Sequence, residues 1–244
     1  MNLQPSLQHA EAYINIHVSR TGPDYHGKAP GPFVTISREA GTGVSAFANQ
    51  LARRLDHELP GEKPWTVFDG NLVETMLKSR ELSPRLATFL PEDRVSDFQA
   101  SVGEIVGLHP SLWELIQRTN EMMRQLVRAG HVILVGRGAN FATAEIAHGV
   151  HLRLVAPVEY RAHSKAHEMD MATEAAIAHN ARVDAARRKY VRSVFEADVE
   201  RPQAYDLVIN VARVPLEQAV GLSVALVGRP VPVTACRRAG LSLL

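Results

Sequence analysis

Three groups of residues in this chain have the types and spacing needed to hold a multiply charged anion. The first is Ser37-Arg38-Glu39-Ala40-Gly41-Thr42-Gly43-Val44-Ser45, a glycine-containing turn between an apolar run and a helical pattern. At such a turn backbone N–H groups can come close to phosphate oxygens, and the positive end of the following helix dipole adds to the attraction. Against the phosphate-cradling spacing G-x-x-x-x-G-K-[ST], residues 38–45 keep Gly43 and Ser45 but carry Arg38 at the first glycine and Val44 at the lysine. Valine neither donates a hydrogen bond nor offsets charge, so Arg38 is the residue that could replace the missing ammonium. Taken alone, Gly41 and Gly43 are equally compatible with a plain tight turn.

The second group is Val135-Gly136-Arg137-Gly138-Ala139-Asn140, which follows another apolar run. Open α/β sheets bind ligands beyond the carboxyl ends of their strands, and a guanidinium there can grip a phosphate with two parallel hydrogen bonds. Arg137 is therefore a candidate phosphate ligand, and Asp69, just past the run at 65–68, would share that edge. The third group is Asp184-Ala185-Ala186-Arg187-Arg188-Lys189-Tyr190-Val191-Arg192, with Arg161 upstream. Helical spacing puts Asp184, Arg188 and Arg192 on one face. A charge run is usually a solvated surface, but this one sits just before the last apolar run of a nearly neutral chain. The histidines show no metal-ligand spacing such as H-E-x-x-H, and no G-x-S-x-G nucleophile elbow occurs.

The elements that must position these groups are short apolar runs at 33–36, 65–68, 131–135, 151–155 and 207–209, alternating with helical patterns that begin at 45–59. Strands alternating with helices predict right-handed crossovers and a parallel sheet covered on both faces. Between the second and third runs lies a helical insertion at about 78–130, with helical stretches at 82–90, 95–106 and 111–130; an Arg-rich helical stretch spans about 158–197. Residues 1–30 read as a leading helix and linker, 31–224 as the main domain and 225–244 as a tail.

With 244 residues, 45% hydrophobic and 22% charged, the chain has a globular composition. Lys and Arg number 27 against 26 Asp and Glu, a formal charge of +1, so no overall field would hold nucleic acid or an anionic membrane and any anion site must be local. Cys236 is the single cysteine; it allows no intrachain disulfide and no multi-thiolate metal site, and a reducing cytoplasm is the expected compartment. No basic segment followed by an apolar one opens the chain, and no apolar run approaches the roughly 18–20 residues of a spanning helix, so neither secretion nor membrane insertion is expected.

Taken together, the chain resembles the cytidylate kinase-like family, a branch of the P-loop nucleoside monophosphate kinases, from about Pro32 to Val220. The resemblance rests on Ile36-Ser37-Arg38-Glu39-Ala40-Gly41-Thr42-Gly43, Phe68-Asp69 and Val135-Gly136-Arg137-Gly138-Ala139-Asn140. It continues through Ala156-Pro157-Val158-Glu159-Tyr160-Arg161, Asp184 with Arg187 and Tyr190, and Tyr205-Asp206-Leu207-Val208-Ile209-Asn210. It implies a three-layer α/β P-loop NTPase-like fold with a five-stranded parallel sheet, a helical insertion and an Arg-rich lid.

The implied activity is transfer of the ATP γ-phosphoryl group, with Mg²⁺, to a nucleoside monophosphate or a related small acceptor. By the resemblance, Gly41, Thr42, Gly43, Val44 and Ser45 with Arg38 hold the donor phosphates, and Ser45 serves the metal. Asp69 and Arg137 hold the acceptor, and Arg137, Arg161, Arg187 and Arg188 neutralise the charge in transfer. The chain departs from cytidylate kinases proper at Val44, where they carry lysine, at Val135, where they carry an acidic residue, and at Gly138, where they carry aspartate; the family-like branch often has arginine near position 45, here Ser45. These departures leave open a catalytically silent nucleotide sensor or scaffold, and a ligand-free interaction module using the leading helix and tail. They leave the acceptor base and self-association open as well.

Overall fold

Alternation within the apolar runs builds the two faces of the sheet. A computed structural model describes residues 31–61, 63–69 and 110–229. The expected leading helix within 1–30, the helical stretches at 82–90 and 95–106, and the tail from 230 on, with Cys236, lie outside the described residues; the start of the expected tail at 225–227 is the end of a helix, Leu216–Val227, whose Leu226 and Val227 pack against the core. Strands β1 (Phe33–Arg38), β2 (Thr66–Asp69), β3 (Val132–Val135), β4 (Gly149–Val155) and β5 (Leu207–Asn210) form one parallel sheet in the order β2-β3-β1-β4-β5. The five-stranded parallel α/β sheet agrees with the reading from sequence.

Because side chains alternate across a strand, Val34 and Ile36 of β1 and Ile133 and Val135 of β3 face one layer, where they pack with helices α1 (Val44–Glu58) and α6 (Leu216–Val227). Phe33, Val132 and Leu134 face the other layer, with helices α2 (Pro110–Ala129) and α3 (Ala139–Ala142). In α1 the buried residues Phe47, Leu51 and Leu55 recur at helical spacing. Fully burying each contributes about 1.5–3 kcal/mol, more than the about 0.5–2 kcal/mol that a side-chain N-cap would supply. The helix has neither such a cap nor an acidic residue in its first turn. Packing therefore holds α1 in place and leaves its positive end uncapped.

The Arg-rich stretch is two helices, α4 (Val158–Met169) and α5 (Thr173–Phe195), which pack as a hairpin. They separate at Asp170, which ends α4 in the left-handed conformation with φ 50°. A short 3-10 turn, Pro202–Ala204, leads into β5. Among the described residues no helix is long and apolar enough to cross a membrane.

Candidate functional site

The turn after β1 needs glycine twice. Gly41 has φ +79° and Gly43 φ +71°, in the left-handed region that side-chain-bearing residues avoid. Thr42 Oγ1 donates to the Glu39 carbonyl at 2.8 Å and closes the loop. The first amide of the helix to find an acceptor is Phe47, which donates to the Gly43 carbonyl at 3.3 Å. The N–H groups of residues 41–46 have no acceptor among the described residues. With Gly43 and Ser45 exposed, this is a row of amides at an open helix N-terminus, the arrangement that receives phosphate oxygens.

Helices α4 and α5 lie directly over the start of this turn. Asp184 of α5 accepts the Ala40 N–H at 2.8 Å through Oδ1, and the Arg161 guanidinium at 2.6 Å through Oδ2. Arg161 also donates to the carbonyls of Ala156 at 3.0 Å and Ala40 at 3.2 Å, and stands 3.5 Å from the Glu39 carboxylate. A Cβ on Gly41 would fall 2.4 Å from the Arg161 carbonyl oxygen and 2.9 Å from Asn180 Nδ2. Arg161 is thus a buried fastener between turn and helices, its Nε and Nη1 both engaged by protein acceptors.

Beside the turn opens a cleft of about 890 Å³, measured out to its mouth, between the end of β1, the β3–α3 loop, β4 and α5. Arg38, Arg137, Arg153, Arg187 and Arg188 all line it. Arg187 donates to the Arg38 carbonyl at 3.4 Å, and Arg188 pairs with Glu200 at 3.0 Å with both side chains about half exposed at 48% and 50%. In the β3–α3 loop, Gly136, Arg137 and Gly138 are consecutive left-handed residues, with φ 85°, 55° and 64°. For Arg137 that conformation carries a cost of roughly 1–2 kcal/mol, and strain of this kind is concentrated where a side chain must be presented. Gly138 lies so close to Phe195 that a Cβ would fall 2.3 Å from its ring, and Phe195 in turn packs on Phe141 and Tyr190.

Arg153 points from β4 into the same cleft and is 5% exposed. It donates to Ser37 Oγ at 3.1 Å, and its guanidinium lies 5.7 Å from the centre of the Tyr205 ring. No carboxylate among the described residues pairs with it.

Sequence reasoning quoted Ser37, Glu39, Asn140 and Tyr205 within motifs without giving them roles, and missed Arg153 as a site residue. Its signal was a charge inside the apolar run His151-Leu152-Arg153-Leu154-Val155. Of the expected site residues, the structure brings Arg38, Arg137, Arg187 and Arg188 together in the cleft. Gly41, Thr42, Gly43, Val44 and Ser45 form the adjoining turn and not the cleft wall. Arg161 packs under α5, and Asp69 ends β2 in register with Val135; neither lines the cleft. Arg192 is exposed and does not line it.

A family model described as the cytidylate kinase-like family matches residues 33–213. The chain belongs to the cytidylate kinase-like family. No curated protein matches the chain. Among solved structures, an uncharacterized protein from Eubacterium ventriosum ATCC 27560 aligns with a TM-score of 0.61 at 15% identity, over 80% of this chain and 97% of its own. A gluconokinase from Sinorhizobium meliloti 1021 aligns with a TM-score of 0.45 at 14% identity, over 82% and 93%. Shikimate kinase from Bacteroides thetaiotaomicron gives 0.44 at 14% identity, over 80% and 97%. At such identities the first of these likenesses speaks for the fold alone, and the matched segment of this cytidylate kinase-like chain contains the turn, the cleft and helices α4 and α5.

Proposed function

We propose that the protein is a nucleotide-binding phosphotransferase that moves the terminal phosphoryl group of ATP to a nucleoside monophosphate or a related small acceptor. The observation that carries this reading is the row of amides at residues 41–46, which have no acceptor among the described residues and stand beside an arginine-lined cleft. Membership of the cytidylate kinase-like family supports it. The amides suit the donor phosphates, and Arg38, Arg137, Arg187 and Arg188 suit the charge shared between donor and acceptor. Ser45, exposed in the first turn of α1, can offer Mg²⁺ one hydroxyl oxygen, the other ligands being phosphate oxygens and water as is usual for this ion. Bound there, the ion would offset charge on the phosphates.

In the step itself, the bond from phosphorus to the bridging donor oxygen breaks as the bond to the acceptor oxygen forms. The acceptor proton, if present, leaves to solvent. Little covalent help is needed from protein; in-line placement and charge stabilisation dominate. Incubation with Mg-ATP and a panel of nucleoside monophosphates tests the reading: diphosphate should form, and Arg137→Ala should slow it by about 10²–10³-fold, the usual effect of losing one preorganised charge contact. Absence of Arg137-dependent product rejects it.

One observation favours the alternative of a catalytically silent nucleotide sensor or scaffold. Val44 packs part-buried against the α1 face of the sheet, so the position of the missing lysine carries no charge. Measurable Mg-ATP affinity without turnover would select that reading.

A further inference from the structure

We propose that the floor of the cleft, made by Arg153 of β4 and Ser37 of β1, is an oxyanion subsite that takes a second anionic group of the acceptor. The acceptor class is then a small molecule with two anionic groups. This deepens the phosphotransferase reading and rests on it for the word acceptor.

Arg153 is a buried cation whose contacts among the described residues are to neutral groups, Ser37 and the Tyr205 ring; Glu39, Asp184 and Glu200 line the same cleft but do not pair with it. Such contacts leave the charge itself uncompensated, and a buried charge without a counter-charge is disfavoured unless a ligand supplies one. Proton directions at the floor add to this. The Tyr205 hydroxyl has one proton, and the Val199 carbonyl, 2.7 Å away, can only accept it. Across the 3.2 Å contact the Ser37 hydroxyl is therefore the donor to Tyr205, while it accepts from Arg153. The floor presents guanidinium N–H groups to an incoming ligand, and the protons of both hydroxyls are already committed within the protein, so the arginine is the donor that meets an anion. Across the cleft, Asn140 is buried with an Nδ2 that makes no hydrogen bond.

Arg153 and Arg137 serve different groups. Arg153 pairs in register with Ser37 on one side of β1, whereas Arg137 follows β3 on the other side. With strands about 4.7–4.9 Å apart, their backbones are separated by roughly 9–10 Å. Two anionic groups on one short molecule span such a gap more naturally than one.

Calorimetry on the ligand-free full chain at fixed ionic strength tests this with inorganic phosphate, butane-1,4-bisphosphate and 4-phosphonobutyrate; the last two distinguish a phosphate from a carboxylate at the floor. At least one two-anion probe should bind ten-fold or more tighter than phosphate. Arg153→Gln should remove that advantage, leave Mg-ATP affinity unchanged, and hold or raise the thermal midpoint, because a charge that serves a ligand does not serve the fold. Arg153→Lys, which keeps the charge without the fork, should retain part of the advantage. The proposal is overturned by absence of the advantage in the wild type, by its survival in Arg153→Gln, or by a large fall in the thermal midpoint of both variants. Failure of Mg-ATP to bind while the advantage persists would reject the phosphotransferase reading and leave the subsite standing.

Discussion

Asp184 stands between two groups it must satisfy at once, the Arg161 guanidinium and the Ala40 amide, with the Arg187 guanidinium farther off at 3.5 Å. Its side chain is 10% exposed and that of Arg161 11%, so removing Arg161 leaves a buried carboxylate with only the longer 3.5 Å contact to Arg187 to offset its charge. Arg161→Ala should therefore destabilise the protein by about 3–5 kcal/mol, read as a lowered urea midpoint. Arg188 makes a useful contrast. Its pair with Glu200 is half exposed, at 48% and 50%, and exposed pairs contribute about 0–1 kcal/mol. Arg188→Ala should leave the midpoint almost unchanged while weakening Mg-ATP-dependent turnover. The two glycines of the turn differ in the same instructive way. A Cβ at Gly43 meets nothing within 4 Å, so Gly43→Ala should cost only the left-handed penalty of about 1–2 kcal/mol. Gly41→Ala adds a collision with backbone at 2.4 Å and should lower the thermal midpoint distinctly further.

At the scale of elements, β1, β4 and β5 are joined by more than their ladders. His151 of β4 shares a 2.8 Å hydrogen bond with Thr35 of β1 through Nδ1, and its backbone N–H is accepted by the Asp206 carboxylate at 2.6 Å. Burial of the ring pushes its pKa below the ordinary 6.5, with the Asp206 charge opposing that shift. A group held neutral by the fold takes up a proton more readily when unfolded. Stability attributable to His151 is therefore complete above the unfolded pKa and is lost as pH falls from about 6.5 toward the lower folded value. Urea midpoints measured from pH 7.5 to 5 should fall over that window, and less so in His151→Gln.

The strands were legible because strands of a buried parallel sheet read as uninterrupted apolar runs. The division of the lid was not, because Glu168-Met169-Asp170-Met171 contains neither glycine nor proline; aspartate itself supplies the left-handed turn. Helix α3, with 4 residues, is too short to show a period. Arg161 looked like a cation for substrate because its partners Asp184 and Ala40 are distant in sequence, and only the fold of α5 over the turn brings them to it.

Across the whole molecule a formal charge of +1 coexists with a cleft lined by several guanidiniums. Steering by the overall field is weak, so anion capture depends on short-range contacts that salt screens only in part. The position of β1 has one more consequence. It is the central strand, flanked by β3 and β4, yet it leaves the ribosome before both. Until Val132–Val135 emerges, β1 has no neighbour to complete its ladder, and at bacterial or eukaryotic elongation rates of about 5–20 residues per second that wait lasts on the order of several seconds or more. The apolar segment bearing Phe33, Val34 and Ile36 is thus left unpaired for that interval, a stretch a chaperone would shelter, and the arginine-lined cleft is among the last features to come into being.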